Sequence, residues 1–270
     1  MITLSGFADE ISPDLEVQLD VLEEEGIRHL DFRGVHGKKV IQLDDGEIKA
    51  VKTRLDERGF RVACIGSSIG KIEITGDLAK HLADFERTLD IAAALEAPCV
   101  RIFSFYYAGQ GKAAPYRDAI MEQLGTYIRM AEQRDIVLLH ENETRIYGDD
   151  LKRCLELFET FPSRHFRAAL DPANYLRTGV KAATHAYPLL KPYLAAVHIK
   201  DSKFVGPGYK NVPAGEGDGE LEALIAALGR DRFTGVLSIE PHLQPRAPES
   251  FRKAAGALKL LLQEANLAWQ

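Results

Sequence analysis

Eight short β-rich runs recur along the chain with helical stretches between them, and this alternation limits the fold more than any other feature. The runs are ITLSGFA (2–8), IRHLDFR (27–33), FRVACIG (60–66), CVRIFSF (99–105), IVLLHE (136–141), FRAALD (166–171), LAAVHIK (194–200) and GVLSIE (235–240). Several are continuously apolar rather than alternating, as strands covered on both faces require. Among the helical stretches, VQLDVLEEEG sets Val17, Leu19, Val21 and Leu22 near one face, with Gly26 as a C-terminal stop. HLADFERTLDIAAALEA, YRDAIMEQLGTYIRMAEQRD, DDLKRCLELFET and ELEALIAALGRD repeat the pattern, and SFRKAAGALKLLLQEANL closes the chain. Strand–helix units of roughly 25–40 residues predict parallel βαβ connectivity. The expectation is an α/β protein, a single (β/α)8 TIM barrel over residues 1–270, with no linker or low-complexity stretch dividing it. A doubly wound open sheet is the main competitor, but it usually carries a Gly-rich phosphate turn after its first strand. SGFADEIS has no GxGxxG.

The totals narrow the class. A chain of 270 residues is long for one domain but ordinary for an α/β barrel, and it can bury a large core without disulfides. Cys64, Cys99 and Cys154 are scattered, with no CxxC spacing, which points to a reducing cytoplasm and away from a zinc knuckle. MITLSGFADEISPD lacks the basic start and apolar core of a signal peptide, and no apolar run is long enough for a membrane span. With 40 acidic against 34 basic residues the formal charge is −6, so a nucleic-acid backbone is repelled on average. The expected setting is cytoplasmic, with no nucleic-acid or membrane partner. Apolar helix faces leave room for a homo-oligomer.

Barrel strands carry function at their C-terminal ends, and the later runs end in polar residues. IVLLHENE runs into His140, Glu141, Asn142 and Glu143, and FRAALDPAN into Asp171 and Asn174. LAAVHIKD runs into His198, Lys200 and Asp201, and VLSIEPHL into Glu240 and His242. Any one acidic residue after a strand more often caps the next helix or solvates a loop, and a lone His is more often structural. Four such endings together are harder to dismiss, because charges crowded at a barrel mouth repel unless a cation or protons compensate. Glu141, Asp171, His198 and Glu240 supply three carboxylates and one imidazole. That mixture suits one divalent metal ion, Mn²⁺ or Mg²⁺ by preference, with Zn²⁺, Co²⁺ or Fe²⁺ also compatible. Lys200 or Lys203 would offset the remaining negative charge. Glu143 shares a strand face with Glu141 and competes with it as a ligand. Glu141 is preferred because it directly follows the apolar run.

These endings resemble the xylose-isomerase-like barrel superfamily, in particular its sugar-phosphate isomerase/epimerase branch. The segments that carry the likeness are HENE, LDPANYL, VHIKD, GEGDGEL and SIEPHL, with FADEIS, FRGVHGKKV and IGSSIGK earlier in the chain. The resemblance implies metal ligands Glu141, Asp171, His198 and Glu240. It also implies Glu141 and Glu240 as two opposed acid/base groups. Many members of that branch carry a substrate-binding His three residues beyond the aspartate, where this chain has Asn174.

Such a set supports proton transfer beside a sugar carbonyl. A divalent ion offsets the charge of the enediolate, one carboxylate removes the proton and another returns it. Return to the opposite face of the same carbon is epimerisation, transfer to the neighbouring carbon is isomerisation, and loss of a β-hydroxyl is dehydration. The expected activity is therefore a metal-dependent isomerase or epimerase acting on a small sugar, keto-sugar or related polyol. His242 is an alternative proton carrier. Lys71, Arg101, Lys200, Lys203, Glu216, Asn174 and again His242 are candidate substrate contacts, with Glu216 on a mobile GEGDG rim. Three other readings compete. Lys200 could form a Schiff base, although this leaves the acidic endings unexplained. A phosphoesterase of the endonuclease kind would need further ligands on the early strands, where only His29 and His36 are near. A non-catalytic sugar-binding barrel needs none of the chemistry.

Overall fold

Eight apolar strands covered by helices can remove every sheet edge by closing on themselves. In the computed structural model, which describes residues 1–109 and 112–270, eight parallel strands form a closed barrel. They are β1 (Thr3–Gly6), β2 (His29–Phe32), β3 (Arg61–Ile69), β4 (Cys99–Ile102), β5 (Val137–Glu141), β6 (Phe166–Leu170), β7 (Leu194–Ile199) and β8 (Val236–Ile239). Each pairs with its sequence neighbours, and β1 pairs with both β2 and β8 to close the ring. Seven of the eight runs contain a whole barrel strand, and the run 60–66 covers β3 as far as Gly66, short of its end at Ile69.

The surrounding helices are α1 (Leu15–Glu24), α2 (Asp45–Arg58), α3 (Leu78–Ala94), α4 (Arg117–Gln133), α5 (Leu151–Thr160), α6 (Pro172–Arg177), α7 (Tyr187–Leu190), α8 (Leu221–Arg230) and α9 (Pro248–Glu264). Aspartates start several of them: Asp14, Asp77, Asp150 and Asp171 each accept a backbone N–H from the first turn. In α1, Leu15, Gln18, Leu19, Val21 and Leu22 face inward. Val17 is exposed, which corrects its expected place on the apolar face. The charged segment of α2 buries only Ile48, Val51 and Leu55, a thin stripe that the barrel side still covers. Each fully buried Leu or Phe in this helix–strand layer contributes roughly 1.5–3 kcal/mol.

Two antiparallel hairpins were not apparent in the sequence. Gly34–Val35 pairs with Lys38–Lys39 after β2, and Asp201–Phe204 pairs with Tyr209–Val212 after β7. Both pairings are short and lie on loops at the C-terminal end of the barrel, where apolar patterning is weak. The cysteines are free. Among the described residues, no helix is long and apolar enough to cross a membrane.

The interior of the barrel positions the site. Leu139, Ala169 and Ala196 form part of a small buried cluster within the ring. Side chains two apart on a strand share a face. The residues two further along those strands are Glu141, Asp171 and His198, and Glu240 stands in the same relation to buried Ser238.

Candidate metal centre

Four side chains converge where that alternation leads. One ligand atom from each of Glu141, Asp171, His198 and Glu240 lies within 4.8 Å of all the others, and all four residues are buried. His198 Nδ1 is 3.3 Å from Glu141 Oε2 and 3.3 Å from Glu240 Oε2. The other oxygen of each glutamate is already engaged. Glu141 Oε1 accepts from Asn174 Nδ2 at 3.0 Å, and Glu240 Oε1 accepts from Arg33 Nη1 at 2.7 Å. Asp171 is divided in the same way. Its Oδ1 caps α6 by accepting from Asn174 N at 2.9 Å, while Oδ2 faces Lys200. Helix cap and candidate ligand are thus the same residue.

Glu141 Oε2, Asp171 Oδ2 and His198 Nδ1 are buried and make no well-aligned hydrogen bond, although Arg101 and His198 stand against Glu141 Oε2 and Lys200 against Asp171 Oδ2 as charge partners. Leaving such atoms unsatisfied is costly. Three of them aimed into one space, in a mixed oxygen and nitrogen set, fit a divalent cation. Asn142 locks the geometry from below. Its Oδ1 accepts from Asp171 N at 2.8 Å and its Nδ2 donates to Asp171 O at 2.9 Å, which ties the ends of β5 and β6 together.

The charges are balanced by buried cations. Arg101 projects from β4 with Nη1 3.1 Å from Glu141 Oε2 and 3.3 Å from Glu240 Oε1. Burial works against ionisation of Glu141, but His198 and Arg101 outweigh it and hold the carboxyl well below the usual range. Glu240 is depressed likewise: burial is overcome by Lys200, His198, His242 and Arg101. Burial, with repulsion from Glu141 and Glu240, pushes Asp171 up to about 6 against the pull of Lys200. For His198, burial favours the neutral ring, yet the two glutamates hold it cationic and raise it to about 10. Lys200 remains an ammonium despite burial because Asp171, Glu240 and Glu141 surround it. A lysine held charged is a poor Schiff-base nucleophile at neutral pH.

The other expected site residues separate into two groups. Arg101, Lys200, Asn174 and His242 reach the centre or its edge. His242 Nε2 lies 3.0 Å from Glu10 Oε1 and 3.5 Å from Glu240 Oε1. Lys71 stands further out, 2.9 Å from Glu143 Oε2, so Glu143 is engaged away from the four converging atoms. Lys203 is exposed on the second hairpin, so of these two lysines it is Lys200 that reaches the centre. Glu216 is exposed and has Lys253 4.0 Å away, so the expected rim contact gives way to a surface position. The GEGDG segment is not a loose rim. Asp201 accepts the backbone N–H groups of Gly215, Gly217 and Gly219 at 2.9, 3.0 and 3.0 Å. A Cβ at Gly217 would stand 2.2 Å from Asp201 Oδ1, so the glycines form a cradle around this carboxylate.

His140, adjacent to Glu141, points out of the ring between Phe158 and Phe166 and belongs to the core. His29 begins β2 at the opposite end of the barrel, and His36 sits in the turn of the first hairpin. Neither supplies the extra ligand that the phosphoesterase reading requires.

Two residues of the site were missed in the sequence, Glu10 and Arg33. With Glu240 and His242, Glu10 forms a second group whose ligand atoms lie within 4.8 Å. Arg33 already fills that place with a cation: it donates to Asp9 at 2.8 Å, Glu10 at 3.0 Å and Glu240 at 2.7 Å. The strand-end rule that picked out the four converging residues reaches Arg33, which directly follows β2, whereas Glu10 lies four residues beyond β1 in a short turn. A cavity of about 830 Å³ opens beside Glu240, bordered by Arg33 and Arg101.

A family model described as xylose isomerase-like TIM barrel matches residues 19–261. No curated protein matches the chain by sequence. Among solved structures, it is similar to the IOLI protein with a binding zinc atom, at 14% identity and TM-score 0.81, covering 98% of this chain and 99% of that one. A D-tagatose 3-epimerase-like protein is similar at 17% identity and TM-score 0.79, with 98% of each chain covered. A xylose isomerase-like TIM barrel protein from Mycobacterium smegmatis in complex with magnesium follows at 17% identity and TM-score 0.76, covering 98% of this chain and 97% of that one. At these identities the likeness is one of fold.

Proposed function

We propose that this chain, which belongs to the xylose isomerase-like TIM barrel family, is a divalent-metal-dependent isomerase or epimerase of a small sugar, keto-sugar or related polyol. The observation that carries the reading is the convergence of Glu141 Oε2, Asp171 Oδ2 and His198 Nδ1 beside Glu240, all buried and held by charge partners rather than by well-aligned hydrogen bonds. Glu141, Asp171, His198 and Glu240 would hold the ion, and the two solved structures described with zinc and with magnesium are consistent with a divalent metal in this fold. Mn²⁺ or Mg²⁺ suits the carboxylate-rich set best. When bound, it supplies electrophilic stabilisation of the negative charge that develops on a carbonyl oxygen as the neighbouring C–H proton leaves.

The protein's own groups supply the proton transfer. Glu141 ends β5 and Glu240 directly follows β8, with β6 and β7 between these strands and His198 between the two carboxylates, and both are held as carboxylates. Either can accept a proton from a carbon held between them, and the other can return one to the opposite face or to the neighbouring carbon. The protonated partner arises within the cycle, because neither carboxyl is protonated at rest near neutral pH. Asn174 fixes Glu141 through Oε1, and Arg33 fixes Glu240 through Oε1, so each keeps Oε2 toward the centre. Arg101 lies against both and lowers the cost of holding two carboxylates together.

The test is deuterium incorporation from D₂O into a panel of small ketoses, followed by NMR with and without Mn²⁺ or Mg²⁺. Exchange at the carbon beside the carbonyl should require the metal and fall roughly 10²–10⁴-fold in Glu141→Gln and Glu240→Gln. Exchange that persists in both variants would remove the acid/base assignment.

A further inference from the structure

We infer that the cavity beside Glu240 receives an anionic group of the substrate, a phosphate or a carboxylate, with Lys39 and Arg246 as the cations that capture it. This rests on the reading above, in which the reacting carbon lies between Glu141 and Glu240.

The cavity borders that centre through two shared walls. Arg33 and Arg101 both line it, and both contact Glu240, at 2.7 and 3.3 Å. Its other walls come from the loop after β1, the first hairpin, the end of β3 and α3. Arg33 and Arg101 thus stand between the cavity and Glu240, and a substrate that spans the two passes beside these guanidinium groups.

The lining is basic in a protein that is acidic overall. The formal charge of the chain is −6, yet the cavity is lined by Arg33, Lys38, Lys39, Lys71, Arg101 and Arg246 against only Asp9 and Asp84. Most of these cations are already matched. Arg33 and Arg101 serve Asp9, Glu10, Glu141 and Glu240. Lys71 pairs with Glu143 at 2.9 Å, and Lys38 pairs with Glu47 at 2.6 Å.

Two charges are left over. Lys39 has no carboxylate within 4.0 Å among the described residues, and the nearest to Arg246 is Glu10 at 4.0 Å. Lys39 comes from the first hairpin and Arg246 from the loop between β8 and α9, so they reach the cavity from separate elements. Both are exposed residues lining the cavity, and cations gathered from separate elements around one concave site raise the local concentration of an anion there. A neutral sugar can accept hydrogen bonds from them but gains no charge pairing. Arginine can also grip a phosphate or carboxylate through two parallel N–H groups.

The experiment is calorimetric titration of the full chain in EDTA with inorganic phosphate, malonate and ribose, at fixed ionic strength. Wild type should bind phosphate or malonate and not ribose, and Lys39→Gln/Arg246→Gln should bind the anion at least about tenfold more weakly. Preference for phosphate identifies a phosphate ester as the substrate class, and preference for malonate a carboxylate. Absence of anion binding, or binding unchanged in the double variant, overturns the inference. Elemental analysis for Mn²⁺ on the same proteins keeps the two readings apart. Metal retained by the double variant with no anion binding in wild type counts against this inference alone. Anion binding by a wild type that takes up no metal counts against the metal centre alone.

Discussion

Asn174 donates its side-chain amide to Glu141 Oε1 at 3.0 Å, so a residue in the first turn of α6 sets the direction of a carboxylate on β5. The same amide also donates to Asn142 O at 3.0 Å, which uses both of its N–H groups. Removing it leaves two buried acceptors without a donor and lets Glu141 rotate. Groups that orient a ligand typically contribute a factor of about 10–100 in metal affinity. Asn174→Ala should therefore weaken Mn²⁺ binding by about tenfold while the far-ultraviolet circular dichroism stays that of the wild type. Unchanged affinity would show that Glu141 needs no such support.

Metal binding should tighten as pH rises. His198 is held cationic up to about 10 in the metal-free protein, and a ligating imidazole must be neutral. Below that pH, binding displaces one proton from His198, so the apparent affinity should rise about tenfold per pH unit between pH 6.5 and 8. Asp171, raised to about 6, adds a second displaced proton only at lower pH. Titration with Mn²⁺ in buffers of different ionisation enthalpy counts the protons released. An affinity flat across this range would show that metal binding displaces no proton from His198.

His140 couples stability to pH with the opposite sign from Asp171. Burial lowers the imidazole from 6.5 to about 4, so the unfolded chain takes up a proton first as pH falls. The contribution is complete above 6.5 and is lost between 6.5 and 4, amounting to about 3 kcal/mol. Asp171, whose carboxyl is raised, gains stability over part of the same window, so the wild-type profile alone is ambiguous. Urea unfolding of wild type and His140→Met at pH 7.5, 5.5 and 4.5 isolates the His140 part. The variant should lose less stability on acidification, and identical slopes would falsify the assignment.

The glycine cradle around Asp201 should tolerate no side chain. A Cβ at Gly217 would fall 2.2 Å from Asp201 Oδ1 and 2.7 Å from Ser202 O. Gly217→Ala should cost about 2 kcal/mol by displacing the carboxylate from its backbone donors. Gly256→Ala is the control. Gly256 lies inside α9 with nothing within 4 Å of its Cβ position, and alanine there should be neutral or stabilising by up to about 1 kcal/mol. Thermal unfolding of the two variants checks both expectations, and equal midpoints would mean that the cradle carries no strain.

Local patterning made the barrel legible. The strands are short, apolar and separated by amphipathic stretches, and each of these signals is contained within one segment. The four converging residues were legible for a related reason: a barrel strand delivers its last inward side chain to the mouth, so position along the run stands for position in space. The same rule failed where the chain leaves the strand. Lys203 and Glu216 lie on loops, and whether they turn toward the mouth depends on the hairpin after β7 and on Asp201, neither of which has a sequence period. Glu143, two residues from Glu141, is drawn to Lys71 from a different strand end, a pairing that spacing along one strand cannot reveal.

By itself the sequence determined the alternation of strand and helix, the closed parallel ring that buries its apolar runs, and the residue types available at the strand ends. Those follow from periodicity and hydrophobic burial, which are set by neighbours along the chain. Only the tertiary structure decided which cation meets which carboxylate: Arg33 just after β2 and Arg101 from β4 both reach Glu240 just after β8, while Lys200 turns to Asp171. Such choices depend on distances between segments far apart in sequence and on the desolvation of each charge, which exist only once the barrel has closed.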